Sequence, residues 1–119
     1  MSNPNILVTR DSIRTLLNDP RPEFVMHVVG KALVGIFNNQ TSDEQASNQT
    51  SKHNNIGFSG SDARSGSLTA KSYLKYKRLL DWQVERWTRI QPKTGYPKLC
   101  KYHNQLNQIA LDKRENKHA

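Results

Sequence analysis

The chain carries a single cysteine, Cys100, in 119 residues. That excludes an internal disulfide framework, the usual staple of a small secreted domain. Long apolar runs are missing too: nothing approaches the about 20 consecutive apolar residues that span a bilayer. The N-terminal MSNPNILVTRD has no charged segment leading into an apolar one, so no signal peptide is expected. There is no G-x-x-x-x-G-K-[ST] phosphate loop and no second Cys-x-x-Cys or His-x-x-His pair. Hydrophobic residues make up 34% and mean hydropathy is −0.81, values that predict some exposed loop or tail. These absences predict one small intracellular domain, 1–119, with chain enough for a single core.

What is present is positive charge, unevenly placed. The formal net charge is +8. Residues 1–50 hold four basic and five acidic side chains, whereas 51–119 hold fourteen basic and five acidic. An excess confined to one half points to a polyanion-facing surface, against the blander reading of a cationic solvated exterior. The same half contains both tryptophans and all four tyrosines. Aromatics interleaved with lysine and arginine suit a surface that grips phosphate and stacks on bases, and equally a helical pair with a tryptophan core.

Hydrophobic spacing predicts a mainly α, single-domain bundle of four to five helices with one long Gly/Ser/Asn-rich loop. Residues 1–8 read as a loose N-terminus. Thr9 suits the N-cap of a helix over Arg10–Asn18 with Ile13, Leu16 and Leu17 on one face. Asp19-Pro-Arg-Pro22 breaks it, and Pro22 opens a second helix that is apolar almost all round, completing a spine over 9–40. Such a helix is buried or shared, which leaves room for a homodimer through 22–40. The polar 41–61 stretch reads as loop, in which DEQAS could add a helical turn, while Phe58 between two glycines argues that the loop is pinned. A basic, aromatic helical region follows over 62–111. Ser61 caps its first helix from Asp62, or Gly66 interrupts and the helix restarts at Ser67. Asp81 caps a helix over Trp82–Ile90, the proline-glycine segment 91–97 is loop, and the last helix covers Lys98–Leu111 before a charged tail, 112–119.

Catalytic readings are weak. Cys100 and His103 have two-ligand spacing, but a zinc site needs three or four ligands and His53 is the only remote candidate. No third group orients Cys100 as a nucleophile. Asp62, Asp81 and Glu85 read as capping and i, i+4 pairing rather than a nuclease set. No enzyme activity, metal or cofactor is expected. The basic motif is stronger: nine basic residues fall between Lys71 and Lys101. The expected nucleic-acid contacts are Lys71, Lys75, Arg78, Arg86, Arg89, Lys93, Lys98 and Lys101. The glycine loop and the helix start after it contribute Asn54, Gly57, Phe58, Gly60, Asp62 and Arg64. Tyr73, Tyr76 and Tyr96 are the expected stacking aromatics, with Trp82, Trp87 and Tyr102 assigned to the core.

The order Asn54, Gly57, Phe58, Asp62, Ala63, Gly66, Ala70, then Leu79 and Gln83, then Lys101, Tyr102, Gln105 and Leu106 resembles a poorly characterised module carried by bacteriophages and plasmids. The pattern is N-x-x-G-F-x-x-x-D-A-x-x-G-x-x-x-A, L-x-x-x-Q and K-Y-x-x-Q-L. Similar segments also stand beside helicase-like domains of phage replication or recombination proteins. The resemblance covers residues 53–106 and leaves the apolar helix without a counterpart. It implies a mobile-element origin, a role in DNA transactions and residence in the cytoplasm of a bacterial host cell, and carries no catalytic residues. The resulting expectation is a non-catalytic nucleic-acid-binding accessory protein, with DNA favoured over RNA and no membrane partner. The rival is an inhibitor that docks on a host protein complex of the CRISPR, restriction or transcription machinery.

Overall fold

Thr9 begins the ordered architecture. In the computed structural model, which describes residues 6–47 and 57–118, its hydroxyl accepts from the Ser12 amide at 3.0 Å while its own amide donates to Ser12 Oγ at 2.8 Å. This reciprocal cap starts α1, Arg10–Leu17. Ile13 and Leu17 are buried one turn apart, whereas Leu16, expected inside with them, stays exposed.

Helix α2 runs Pro22–Ser47, seven residues past the expected end at 40. The extension TSDEQAS has no proline or glycine to stop it, and Glu, Gln and Ala favour helix. Residues 41–47 of the expected loop are therefore helix. The apolar surface of α2 is consumed within the monomer. Val25, Met26, Val29, Leu33 and Ile36 are buried, and Val28, Ala32, Val34 and Phe37 pack against them. Among the described residues, no large exposed hydrophobic lies on 22–40. The cover comes from α1 and from three later helices, α3 (Ala63–Tyr76), α4 (Asp81–Thr88) and α5 (His103–His118).

Helix α3, Ala63–Tyr76, packs most extensively on α2. The approach depends on Gly30: a Cβ there would clash with the Tyr73 ring. Tyr73 is consequently buried, not exposed for stacking, and its hydroxyl meets His27 Nδ1 at 2.8 Å. Gly66 does not interrupt α3. Its missing side chain makes room for the Phe58 ring, 2.5 Å from where a Cβ would sit. Lys77, in the left-handed region at φ 56°, ends the helix.

Helix α4, Asp81–Thr88, opens with the Leu80 amide donating to Gln83 Oε1 at 2.8 Å, so Leu80 rather than Asp81 holds the cap position. Leu79, Gln83 and Trp87 recur at i, i+4, i+8 and are all buried. Trp82 lies on the other side and is 60% exposed, against the expectation that it joins the core. An antiparallel bridge between Ile90 and Pro97 closes the following loop. A tight 3-10 turn, Lys98–Tyr102, then leads into α5, His103–His118, where one continuous α-helix was predicted. Helix is thus the dominant structure of a single globule 40 × 38 × 30 Å across. No described helix is long and apolar enough to cross a membrane.

Candidate nucleic-acid interface

The 57–62 segment is held by side chains that precede it and follow it in the sequence, Gln40 on one side and Tyr102 and Gln105 on the other. Gly57 takes φ 85°, a conformation that favours glycine. Its amide donates to Gln105 Oε1 at 2.8 Å and its carbonyl accepts from Gln105 Nε2 at 2.7 Å. The Phe58 amide donates to Gln40 Oε1 at 3.0 Å, and the Ser59 amide to the Tyr102 hydroxyl at 3.1 Å. The Phe58 ring lies edge-on to Tyr102, 5.7 Å between centroids, and 6.0 Å from the fully buried Trp87. This is why an aromatic between two glycines is pinned.

That clamp delivers Asp62, only 2% exposed, to a cationic setting. Its Oδ2 accepts from the Tyr102 hydroxyl at 2.6 Å and from Lys101 Nζ at 3.2 Å, and Oδ1 faces Lys98 Nζ at 2.9 Å. Burial alone would raise the carboxyl pKa, but the hydrogen bonds from Tyr102, Lys98 and Lys101 outweigh it and hold the group at about 2. Burial, followed by the bond to Asp62, pushes the Tyr102 phenol up to about 12. Two ammonium groups on one carboxylate leave a local excess of positive charge facing solvent, because Lys98 and Lys101 remain partly exposed.

Three adjoining depressions open nearby, the first two lined by Lys98 and the first also by Lys101. The first, about 550 Å³, takes in Arg10, Lys93, Lys98, Lys101 and His103 around the 91–97 loop. The second, about 540 Å³, has Trp82, Arg86, Arg89, Ile90 and Lys98 in its wall and shares Gln91, Pro92 and Lys98 with the first. The third, about 400 Å³, lies between α3 and α4 with Arg64, Leu68, Trp82 and Arg86, and shares Trp82 and Arg86 with the second. The acidic residue lining them is Glu85, engaged by Arg89 at 3.2 Å. Arg64, Arg86 and Lys93 make no ion pair with another described residue.

The expected contacts therefore divide. Arg64, Arg86, Arg89, Lys93, Lys98 and Lys101 come together around these depressions, joined by Arg10, which stands in the acidic half of the sequence and escaped notice there. Lys71, Lys75 and Arg78 line none of them. Lys71 lies over Phe37 and Lys75 over Tyr76, while Arg78 reaches Glu23 at 3.4 Å. Lys71 and Lys75 nonetheless follow Arg64 and Leu68 along one exposed face of α3 at helical spacing.

The aromatic assignments change most. Tyr76 is exposed as expected. Tyr96 is half-buried, with Arg10 and Arg14 against its ring and its hydroxyl donating to Asp11 at 2.8 Å. Gly57, Phe58 and Asp62 are framework, not contact surface, and only Gly60 of that segment's predicted contacts is exposed. Asn54 and His53 lie outside the described residues. Trp82, assigned to the core, is exposed instead. Its signal was the Leu79–Gln83–Trp87 register, obscured because the middle member is polar.

The residues of the N-x-x-G-F, L-x-x-x-Q and K-Y-x-x-Q-L pattern, Asn54 apart, are packed or hydrogen-bonded parts of this framework. No group of three or more His, Cys, Asp or Glu that could hold a metal occurs among the described residues. Cys100 is buried, its thiol donates to the Arg10 carbonyl, and burial raises its pKa. No protein-family model, curated protein or solved structure gives a significant match to this chain.

Proposed function

We propose that this chain is a non-catalytic nucleic-acid-binding accessory protein of a phage or plasmid, acting on DNA in the cytoplasm of a bacterial host. The observation that supports it is the run of adjoining depressions lined by Arg10, Arg64, Arg86, Arg89, Lys93, Lys98 and Lys101, with one acid, itself tied to Arg89. Cations so placed displace condensed counterions from a phosphate backbone. Lys71 and Lys75 extend the positive face along α3. The test is fluorescence anisotropy with labelled DNA over a salt series. Neutralising four to six phosphates on a duplex gives a slope of log K against log salt of roughly −4 to −5, and on a single strand roughly −3 to −4. Absence of binding at low salt overturns the reading.

A second reading is docking on a host defence or transcription complex as an inhibitor. What favours it is the exposed apolar set Leu68, Leu80, Trp82 and Ile90, unusual on so charged a surface. A host complex that co-purifies after nuclease treatment, and still does so when Arg64 and Arg86 are reversed to glutamate, would favour this reading over the first.

A further inference from the structure

Helix α4 has two tryptophans with opposite fates. Trp87 is fully buried, and its register with Leu79 and Gln83 turns Trp82 outward. Trp82 stands between the second and third depressions, with Arg86 one turn further along the same face and Arg89 another turn on. Across the third depression, α3 contributes Arg64 and the 58%-exposed Leu68. On the other side, the 53%-exposed Ile90 lines the second. The result is an exposed indole with an aliphatic neighbour in each depression and guanidinium groups around it.

We infer that Trp82 is a base-stacking platform and that this face takes single-stranded nucleic acid, with Arg64, Arg86 and Arg89 on the backbone. The inference rests on the nucleic-acid reading above and narrows it to a substrate class. A single strand offers open base faces to the indole and aliphatic groups while its phosphates meet the arginines. A duplex encloses its bases in the stack and presents phosphates, which gain nothing from Trp82, Leu68 or Ile90. Charge complementarity excludes a basic partner. Glu85, the acid at the site, is already held by Arg89.

The test uses the full chain with three ligands: an oligothymidine, a duplex of equal length, and an abasic single strand with the same phosphates. Because Trp87 is buried, the ligand-sensitive part of the intrinsic fluorescence comes from Trp82, and Trp82→Phe identifies it. Oligothymidine is expected to quench that emission and to bind more tightly than the duplex. Trp82→Ala should weaken oligothymidine binding by roughly 5- to 150-fold, Trp82→Phe by much less, and neither should alter affinity for the abasic strand. Unchanged thermal melting of Trp82→Ala, whose parent side chain is mostly exposed, verifies that the fold is kept. Equal oligothymidine affinity of wild type and Trp82→Ala, or a preference for duplex with Trp82 emission unchanged, overturns the inference and leaves nucleic-acid binding standing. Failure to bind any of the three ligands at low salt overturns both and leaves a protein partner as the occupant of this face.

Discussion

The Tyr102 hydroxyl donates to Asp62 Oδ2 at 2.6 Å across forty positions of sequence. That bond joins the loop before α3 to the turn before α5. It also fixes the carboxylate that Lys98 and Lys101 both face. Packing and surface charge therefore meet in one buried group. The same Tyr102 ring closes on Phe58, whose ring fills the space left by Gly66. A change at any of these positions reaches the lysines through the frame.

Asp62 should make stability depend on acidity. Its folded-state pKa, about 2, lies below its ordinary 3.8, so the unfolded chain takes up the proton first as pH falls. The contribution is complete above about pH 4 and disappears as pH drops towards 2, amounting to about 2 kcal/mol. Asp62→Asn should remove that part of the acid dependence and destabilise the neutral protein by about 3 kcal/mol, because two ammonium groups lose their counter-ion. Chemical denaturation of both proteins from pH 7 to pH 2 measures this. Parallel pH curves would refute it. Asp19, also held at about 2 by Arg21, is unchanged in the comparison.

Gly66→Ala should destabilise by about 1–3 kcal/mol, since the new methyl meets the Phe58 ring. Gly60→Ala is the control. Nothing lies within 4 Å of a Cβ at that position, and the change should stay within about 0.5 kcal/mol. Urea midpoints of the two variants, read at equal m-values, decide the matter. Equal midpoints would show that Phe58 moves aside freely.

The cations should separate into two classes. Arg64→Ala, Arg86→Ala and Lys93→Ala remove charges that no described acid pairs, so each should flatten the salt dependence of DNA binding by about 1 in slope without lowering the melting temperature. Lys98→Ala and Lys101→Ala should lower both affinity and stability, the latter by about 1–3 kcal/mol, because buried Asp62 loses a donor. Arg78→Ala, whose parent pairs with Glu23 away from the depressions, should leave the slope unchanged. Melting curves and anisotropy on the same preparations check the division.

Local chemistry made much of the fold legible. Thr9 starts α1, Pro22 opens α2 after the Asp-Pro-Arg-Pro break, and 3.6-residue spacing marks the helices. The clustering of positive charge beyond residue 50 is likewise a property of the sequence alone. Pairing between distant parts was not legible, because it depends on which faces meet. Which residue would pack on Gly30 was not written in α2 itself: the Tyr73 ring occupies its space, and Tyr73 left the surface as a result. Asp62 looked like an ordinary first-turn acid until burial placed it against Tyr102, Lys98 and Lys101. The two tryptophans of α4 are alike in composition and charge. Tertiary structure decided that Trp87 fills the core and Trp82 faces solvent, because only one side of an eight-residue helix is covered by its neighbours.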